Sequence, residues 1–305
     1  MSQPLRSSST YLASTEAWSV KNASGQEYLV EIGFPRTWGD GSNPGLKQPD
    51  QAQALVPICY LTDGNSVFLT ALEVLHRRLC ASPAPFPESI IVSIGFHIKP
   101  NSKLLLDSRR VHDLTPPAPG CGPNAGGADE FADMIQDNVR PLVHSRLKER
   151  RGAQPGREAI YGHSFGGLLS LHLCFTRPTM FDTFIASSPS IWWLDKFILQ
   201  EEHAFLEDKD NRKVAPSLWL SFGSEEEDPT RRRDEREEWY EGRKQKYNLA
   251  QMITNVLAMH SRLKKSGVLK NLSITKYQGE DHGTVIACSV SQGLTNFFED
   301  WPYGN

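Results

Sequence analysis

The sequence predicts an α/β protein with a mostly parallel central sheet that helices cover on both faces. Three observations support this fold class. Apolar runs of strand length alternate along the chain with stretches of helical periodicity. Two of these runs, Leu55–Leu61 and Ile90–Gly95, are almost entirely apolar, which is typical of strands buried on both faces. A third stretch, 157–161, passes through a glycine-rich turn directly into an apolar helical pattern.

The predicted elements follow one another as strands and helices of ordinary length. Alternation in Ala17–Val20 and Glu27–Phe34, on either side of a polar turn, predicts a β-hairpin. The other predicted strands are Leu55–Leu61, Ile90–Gly95, 157–161, Thr183–Ala186, Leu218–Phe222 and Leu272–Tyr277. The predicted helices are Val67–Leu79, Asp129–Arg150, the stretch from Leu168, Tyr247–Lys265 and Val285–Phe298. We expect Pro141 to bend the second helix, because proline lacks the N–H that a helix needs.

The composition is that of a globular chain. It has 305 residues, of which 39% are hydrophobic and 23% charged, so it is long enough to bury a substantial core. We predict a flexible tail at 1–15 and one domain at 16–305. Two segments that leave the strand–helix rhythm, about 97–128 and 187–212, are predicted to form a partial lid above the sheet. A charged insertion at about 229–245 mixes both signs and is predicted to be a solvated helix or a mobile segment.

Charge and cysteine usage narrow the possible partners. A net charge of −3 and a pI near 6.3 give no reason to expect nucleic acid or an anionic membrane surface as a partner. No apolar run reaches the length of a membrane span, and the N-terminus lacks the apolar core of a secretory signal, so we expect a cytoplasmic protein. Five cysteines without paired spacing indicate neither a disulfide framework nor a zinc site. We expect no cofactor and no protein-bound metal, and the sequence leaves the oligomeric state open.

A glycine-rich turn carries the strongest functional signal. Gly162-His163-Ser164-Phe165-Gly166 matches G-x-S-x-G between a predicted strand and a predicted helix, the setting of a nucleophile elbow in α/β-hydrolases. Such a turn lifts the serine Oγ clear of the sheet. Glycines flank it because a Cβ at either position would collide with the neighbouring strand or helix. Ser164 is therefore the predicted nucleophile.

The order of residues along the chain predicts the partners of Ser164. In α/β-hydrolases the nucleophile is followed by an acid and then by a histidine. The last predicted strand leads into a short loop that contains His282, the predicted general base. The acid should follow the preceding strand, where four carboxylates stand: Glu225, Glu226, Glu227 and Asp228. The usual spacing after the strand-terminal glycine selects Glu226, with Asp228 as second choice, and a dyad without an acid stays open.

An ester hydrolase also needs N–H donors for the oxyanion that forms on the substrate. The backbone of Phe165, directly after the nucleophile, is one predicted donor. The other should come from the loop after strand 55–61, from Gly64 or Asn65.

We expect His163 to point away from the serine, whereas His97 and His112, in the long loop, are possible substrate contacts.

Several motifs in fixed order resemble one known family. They are Tyr60–Phe68 (YLTDGNSVF), Arg110–Pro116 (RVHDLTP), Gly126–Phe131 (GGADEF), Gly162–Gly167 (GHSFGG) and Ser187–Trp193 (SSPSIWW). This set resembles the esterase-D-like α/β-hydrolases that include the enterobactin and salmochelin esterases, and the resemblance runs from about Ala17 to the C-terminus. The length and long loops are most similar to those of the fungal members, which hydrolyse fusarinine C and triacetylfusarinine C.

The resemblance implies a serine esterase that cleaves ester bonds of a hydroxamate siderophore and releases iron inside the cell. Ser164 and His282 would be its nucleophile and base. Trp192 and Trp193 would offer apolar surface to the substrate, although at least one could belong to the lid core. Arg110 would contact the substrate or brace the long loop, and Asp113 would brace it. Any iron would arrive coordinated by the siderophore.

Two other functions remain compatible with the sequence. One is hydrolysis of small acyl esters or thioesters, as in esterase D itself, although the long loops and paired tryptophans fit a larger substrate better. The other is siderophore binding by a hydrolase scaffold that has lost turnover. The complete set of Ser164, His282 and the elbow glycines favours catalysis over binding alone.

Overall fold

The computed structural model describes most of the predicted domain. The described residues are Leu12, 14–38, 55–80, 87–98 and 106–299. The predicted tail at 1–15 lies almost entirely outside them, and so do residues 99–105 of the first predicted lid segment. No helix in this part of the chain is long and apolar enough to cross a membrane.

A sheet of eight strands forms the centre of the described part. The strands are β1 Thr15–Lys21, β2 Glu27–Gly33, β3 Leu55–Leu61, β4 Ile90–Gly95, β5 Gln154–His163, β6 Thr183–Ser187, β7 Ser217–Gly223 and β8 Asn271–Tyr277. Their order is β1-β2-β4-β3-β5-β6-β7-β8. β1 and β2 are antiparallel to their neighbours, whereas β4, β3 and β5 to β8 all run parallel. The predicted hairpin, strands and mostly parallel sheet are confirmed.

Helices cover both faces of the sheet, as the fold class requires. They are α1 Gly64–Cys80, α2 Arg110–Asp113, α3 Ala128–Met134, α4 Arg140–Arg151, α5 Phe165–Thr176, α6 Trp193–Lys196, α7 Ile198–Glu207, α8 Asn211–Val214, α9 Glu237–Ala250, α10 Met252–Ser266 and α11 Val285–Phe298. α1 and α11 share one apolar cluster with the sheet, and α3, α4, α5, α7 and α10 share the other. Every residue of β4, β6 and β7 is consequently buried.

Two predicted helices are interrupted in the structure. The helix predicted at Asp129–Arg150 contains a π-helical turn at Ile135–Val139, immediately before Pro141. The helical hydrogen bonding thus changes next to the position where the bend was predicted, where Pro141 has no N–H to donate to the preceding turn.

The prediction of one continuous helix at Tyr247–Lys265 is wrong, because the structure has two helices there. α9 ends at Ala250, Gln251 takes a left-handed conformation with φ 48°, and α10 begins at Met252. The carboxylate of Glu227 accepts hydrogen bonds from the backbone N and Oγ1 of Thr254, at 2.6 and 3.0 Å, and so caps the new helix. α9 begins inside the predicted charged insertion, and all its side chains are at least partly exposed.

Candidate active site

Ser164 lies in a strained turn between β5 and α5. Its backbone has φ 60° and ψ −114°, a conformation that residues other than glycine rarely adopt. The surrounding backbone holds it there, since Ser164 N donates to Ser187 O at 3.0 Å and Ser164 O accepts from Ser190 N at 3.0 Å. The predicted turn between strand and helix is thus present, and it places the Oγ beyond the edge of the sheet.

Close packing explains the two glycines that flank the turn. A Cβ on Gly162 would lie 2.0 Å from the carbonyl oxygen of Gly166. A Cβ on Gly166 would lie 2.3 Å from Thr62 Oγ1, at the end of β3. The predicted collisions are confirmed, and the second one shows that the elbow packs directly on the turn after β3.

His282 connects the serine to a carboxylate. It lies in the loop between β8 and α11, with Nε2 at 3.1 Å from Ser164 Oγ. Its Nδ1 is 2.7 Å from Glu226 Oε2. These distances fit a tautomer in which Nδ1–H donates to the carboxylate and Nε2 accepts from the serine hydroxyl. The structure therefore brings together Ser164, His282 and Glu226, which are far apart in the sequence.

Asp281 stabilises the loop that carries His282. Its carboxylate accepts from the backbone N of Gly283 at 2.8 Å and of Thr284 at 3.0 Å. Arg232, from the charged insertion, donates to the same carboxylate at 3.1 Å. Burial opposes ionisation of Asp281, but the Thr284, Gly283 and Arg232 donors outweigh it and lower its pKa.

Only one of the four candidate acids contacts the histidine. Glu226 is 1% exposed and accepts from Gly223 N at 2.7 Å, Ser188 Oγ at 2.5 Å and His282 Nδ1 at 2.7 Å. The other three have different environments: Glu225 accepts from Thr230, Glu227 caps α10, and the exposed Asp228 lies 3.9 Å from Lys244. The geometry therefore favours Glu226 over Asp228, the second choice.

His163, which was expected to point away from Ser164, contacts the histidine that lies next to Ser164. Its ring packs against the ring of His282, with centroids 4.6 Å apart, and its Nδ1 lies 3.3 Å from Ser187 Oγ. Burial, together with the neighbouring His282 and Arg110, holds the pKa of His163 well below its usual value.

The predicted oxyanion donors stand at two helix N-termini. Phe165 is the first residue of α5, and Gly64 and Asn65 open α1. N–H groups in the first turn of a helix lack intrahelical partners and face any nearby negative charge. Asn65 is fixed by its side chain, which pairs with both Phe96 N at 2.7 Å and Phe96 O at 2.9 Å.

Arg110 braces the turn that leads to these donors. Its Nε and Nη2 donate to the two carboxylate oxygens of Asp63, each at 2.7 Å, and its guanidinium lies 5.4 Å from the ring centre of Phe165. The bracing alternative thus fits better than the predicted substrate contact, because this bidentate pair occupies the guanidinium. Asp113 is also a brace, since it accepts from Tyr28 Oη at 3.0 Å.

The remaining predicted substrate contacts differ in exposure. Trp192 is 40% exposed, and its ring lies 6.0 Å from that of Phe165, the residue after Ser164. Trp193 is 9% exposed and belongs to the core, so its prediction as a substrate contact is corrected. His112 Nδ1 pairs with Asp113 at 3.0 Å, and His97 Nε2 lies 3.2 Å from Ser19 Oγ. These contacts give both histidines a partner within the protein.

Comparison with known proteins assigns the chain to a family. A family model described as "Putative esterase" matches residues 46–264, which is more than half of the chain. The protein belongs to this esterase family. The esterase is 45% identical over 294 residues to the siderophore triacetylfusarinine C esterase of Aspergillus fumigatus, and the match covers 96% of both chains. It is 36% identical to the siderophore enterobactin esterase of Emericella nidulans, with 91% of each chain covered.

Solved structures agree with this assignment. The esterase matches the siderophore hydrolase EstB from Aspergillus nidulans with a TM-score of 0.87 and 41% sequence identity, over 97% of this chain and 98% of the other. The predicted family and the α/β-hydrolase fold are confirmed, and the esterase is a carboxylic ester hydrolase.

Among its described residues, no group of three or more His, Cys, Asp or Glu side chains is arranged to hold a metal ion.

Sequence reasoning assigned no role to three serines beside the site. Ser187 is the last residue of β6, and Ser188 and Ser190 follow it. Their hydroxyls lie at hydrogen-bond distance from His163, Glu226 and Ser164 respectively. These serines belong to the SSPS sequence at the start of the Ser187–Trp193 motif. The feature that could have indicated their role is a cluster of short polar side chains at the end of a buried strand, next to the strand that leads to Ser164.

Proposed function

We propose that the protein is a serine esterase that hydrolyses the ester bonds of a fusarinine-type hydroxamate siderophore. One observation carries the proposal: Ser164, His282 and Glu226 form a continuous chain of contacts, at 3.1 and 2.7 Å, in an esterase that is 45% identical to a triacetylfusarinine C esterase. Their proposed roles are nucleophile, general base and orienting acid. The order of the three along the chain also agrees with the α/β-hydrolase pattern.

In the acylation step, Ser164 Oγ attacks the carbonyl carbon of the substrate ester while His282 Nε2 takes the hydroxyl proton. The carbonyl oxygen becomes an oxyanion. The N–H of Phe165, with that of Gly64 or Asn65, would donate to it, and the N-terminus of α5 adds a favourable dipole. The C–O bond to the alcohol then breaks. His282 returns its proton to the leaving alkoxide, and an acyl-enzyme remains.

In the deacylation step, water takes the place of the alcohol. His282 removes a proton from the water as it attacks the acyl carbon, and the second tetrahedral intermediate collapses. Ser164 Oγ leaves and regains its proton from His282. The net reaction consumes one ester and one water and yields one carboxylic acid and one alcohol. Glu226 stays bound to Nδ1 throughout and stabilises the imidazolium that forms in both steps.

An exposed aromatic side chain next to the elbow supports a large substrate. The exposed face of Trp192, next to Phe165, offers a rigid apolar surface beside the reacting atoms. Ferric iron would be part of the substrate, held by its own oxygens. Cleavage of the esters separates chelating arms that had shared one scaffold, so their effective concentration around the iron falls. Iron release inside the cell remains a prediction.

The test is a substrate panel with the wild-type protein and Ser164→Ala. Triacetylfusarinine C, fusarinine C, enterobactin and a small acyl thioester would each be incubated in iron-free form, and the siderophores also in ferrated form, with products identified by mass spectrometry. We expect linear fragments from the fusarinine-type esters with the wild-type protein only. Enterobactin belongs in the panel because one relative carries that name. Near-normal turnover by Ser164→Ala, or preference for the thioester, would contradict the proposal.

A further inference from the structure

The segment after β6 lies between the strand of the nucleophile and the strand of the acid. β6 pairs with β5 on one side and with β7 on the other. Ser188 N donates to Ser221 O, at the end of β7, at 2.8 Å, while Ser190 N donates to Ser164 O in the elbow. The backbone of this segment therefore connects the two parts of the site that must stay in register during the reaction.

The hydroxyl of Ser188 makes a short contact with the proposed acid. Ser188 Oγ donates to Glu226 Oε1 at 2.5 Å, and both residues are 1% exposed. Gly223 N donates to the same carboxylate oxygen at 2.7 Å. Because both donors occupy Oε1, the other oxygen is left for His282 Nδ1. A hydrogen bond to a buried carboxylate is among the stronger kinds in proteins.

Ser188 keeps this contact in an unfavourable backbone conformation. Its φ is 41°, in the left-handed region that favours glycine. A serine there costs free energy relative to glycine, and such strain persists where the surrounding structure or the function requires the side chain. Among the described residues, the polar contact of this side chain is with Glu226. The backbone strain and the short hydrogen bond therefore point to the same residue.

We propose that Ser188 is a positioning residue for ester hydrolysis, which acts on His282 through the carboxylate of Glu226. This inference rests on the proposed function. A glutamate side chain has three rotatable bonds, so a single contact with the imidazole would leave its carboxylate free to rotate. Two donors on Oε1 fix the plane of the carboxylate. Oε2 then stays in line with Nδ1 when His282 becomes charged.

Two substitutions separate the hydroxyl from the backbone. Ser188→Ala removes the hydroxyl and keeps the strain, whereas Ser188→Gly removes both. We expect each to lower kcat about 10- to 100-fold, with KM within about twofold, because the lost hydrogen bond orients a reacting group but does not touch the substrate. Turnover would be expressed per active site titrated with an organophosphonate. Thermal unfolding should show Ser188→Gly to be at least as stable as Ser188→Ala.

Ser221→Ala is the matched control. Ser221 is 0% exposed at the end of the neighbouring strand, and its Oγ has no hydrogen-bond partner among the described residues. Its substitution should leave kcat within about twofold of wild type, because no orienting contact is lost. Wild-type turnover by both Ser188 variants would overturn the proposal.

A double-mutant cycle tests the route of the effect. If Ser188 acts through Glu226, Ser188→Ala should cause no further loss in a Glu226→Ala background. An equal loss in both backgrounds would show that the hydroxyl acts elsewhere and would overturn the proposal. A different result would contradict the proposed function, namely near-normal turnover by Ser164→Ala. Wild-type turnover by the Ser188 variants with an inactive Ser164→Ala would reject this inference alone.

Discussion

The direction of a glutamate carboxylate has to be fixed by its surroundings, because its side chain is longer than that of aspartate. In this protein the fixing groups are Gly223 N and Ser188 Oγ on one oxygen and His282 Nδ1 on the other. The neighbouring Asp228 has an 88% exposed side chain. At the residue scale, the acid is thus distinguished from its neighbours by buried hydrogen bonds rather than by charge.

The first prediction compares these two acids. Glu226→Gln should lower kcat about 1000-fold or more, because the amide cannot stabilise an imidazolium as a carboxylate does. Asp228→Asn should leave kcat near its wild-type value, since an exposed carboxylate 3.9 Å from Lys244 contributes little. Steady-state kinetics on the same ester would measure both. A large loss in Asp228→Asn with an active Glu226→Gln would show that the assignment of the acid is wrong.

The second prediction concerns the pH dependence of catalysis. Burial, His282 and Arg110 keep the pKa of His163 well below the usual value, so His163 should stay neutral in weakly acidic solution. On the acid side, log kcat/KM should therefore rise with pH with a slope of one, because the general base alone has to lose a proton. Rates on a neutral ester between pH 4.5 and 8 would be measured. A slope of two would show that His163 also loses a proton in this range.

The sequence predicts some residues of the proposed site and not others, for physical reasons. Ser164 and His282 follow from chain order and from the turn chemistry around them, both of which are local features. Glu226 follows from its distance to a strand end. The contacts of His163 and Trp193 could not be predicted, because these residues stand at the end of β5 and at the start of α6, where side-chain direction depends on dihedral angles that spacing does not specify. Ser188 was missed for the same reason, since its φ of 41° directs the hydroxyl towards the acid.

At the scale of elements, a buried histidine joins the helix of the nucleophile to the second predicted lid segment. His172, on α5, is 2% exposed, and its Nδ1 lies 2.9 Å from Glu201 of α7. Its Nε2 is 3.5 Å from Asp129 of α3, which also pairs with Arg177. Burial alone would lower the pKa of His172, but the carboxylates of Asp129 and Glu201 outweigh it and raise the pKa to about 9.

The third prediction is a loss of stability in alkaline solution. The pKa of His172 is higher in the folded protein, at about 9, than its ordinary value of 6.5, so folding favours the protonated form. The stabilisation is complete below pH 6.5 and disappears as the pH rises to about 9. It amounts to roughly 3 kcal/mol at most. Urea unfolding of wild type and His172→Gln at pH 6.5 and 9.5 should show a difference that shrinks with pH. A constant difference would contradict the account.

The fourth prediction concerns two elements that touch at Gly223. A Cβ there would lie 2.2 Å from the backbone oxygen of Glu280, in the loop of His282. Gly223→Ala should therefore displace this loop and lower kcat about 100-fold, because small shifts of a catalytic group are costly. Gly242→Ala, on the exposed α9 with nothing within 4 Å, is the control and should keep full activity. Wild-type kinetics in Gly223→Ala would show that the loop tolerates displacement.

Element boundaries were harder to predict than the elements themselves. Apolar runs identified the central strands such as β3 and β4, because burial on both faces leaves a clear pattern, and alternation of apolar and polar residues identified the hairpin of β1 and β2. The break between α9 and α10 was missed because it depends on Glu227, which caps α10 from a distant loop. The π-helical turn before Pro141 could be predicted as a bend but not as a specific hydrogen-bonding pattern.

At the scale of the whole molecule, the parallel sheet assembles the site. The carboxyl ends of β5, β6, β7 and β8 lie side by side, and these four strands are followed by the elbow, the serine segment, the acid and the histidine loop respectively. Residues 118 positions apart in the sequence, Ser164 and His282, thereby come within 3.1 Å. Right-handed strand–helix–strand connections place successive strands in this way, so the assembly could be predicted from chain order alone.

The most direct test of the central claim is covalent labelling of Ser164 by an organophosphonate, followed by intact-mass and peptide mass spectrometry. The claim is that His282 activates this hydroxyl. It predicts one adduct per chain, on the peptide that contains Ser164, with wild-type protein, and labelling slowed by about three orders of magnitude in His282→Ala. Labelling that proceeds at the wild-type rate in His282→Ala, or an adduct on any other residue, would contradict it.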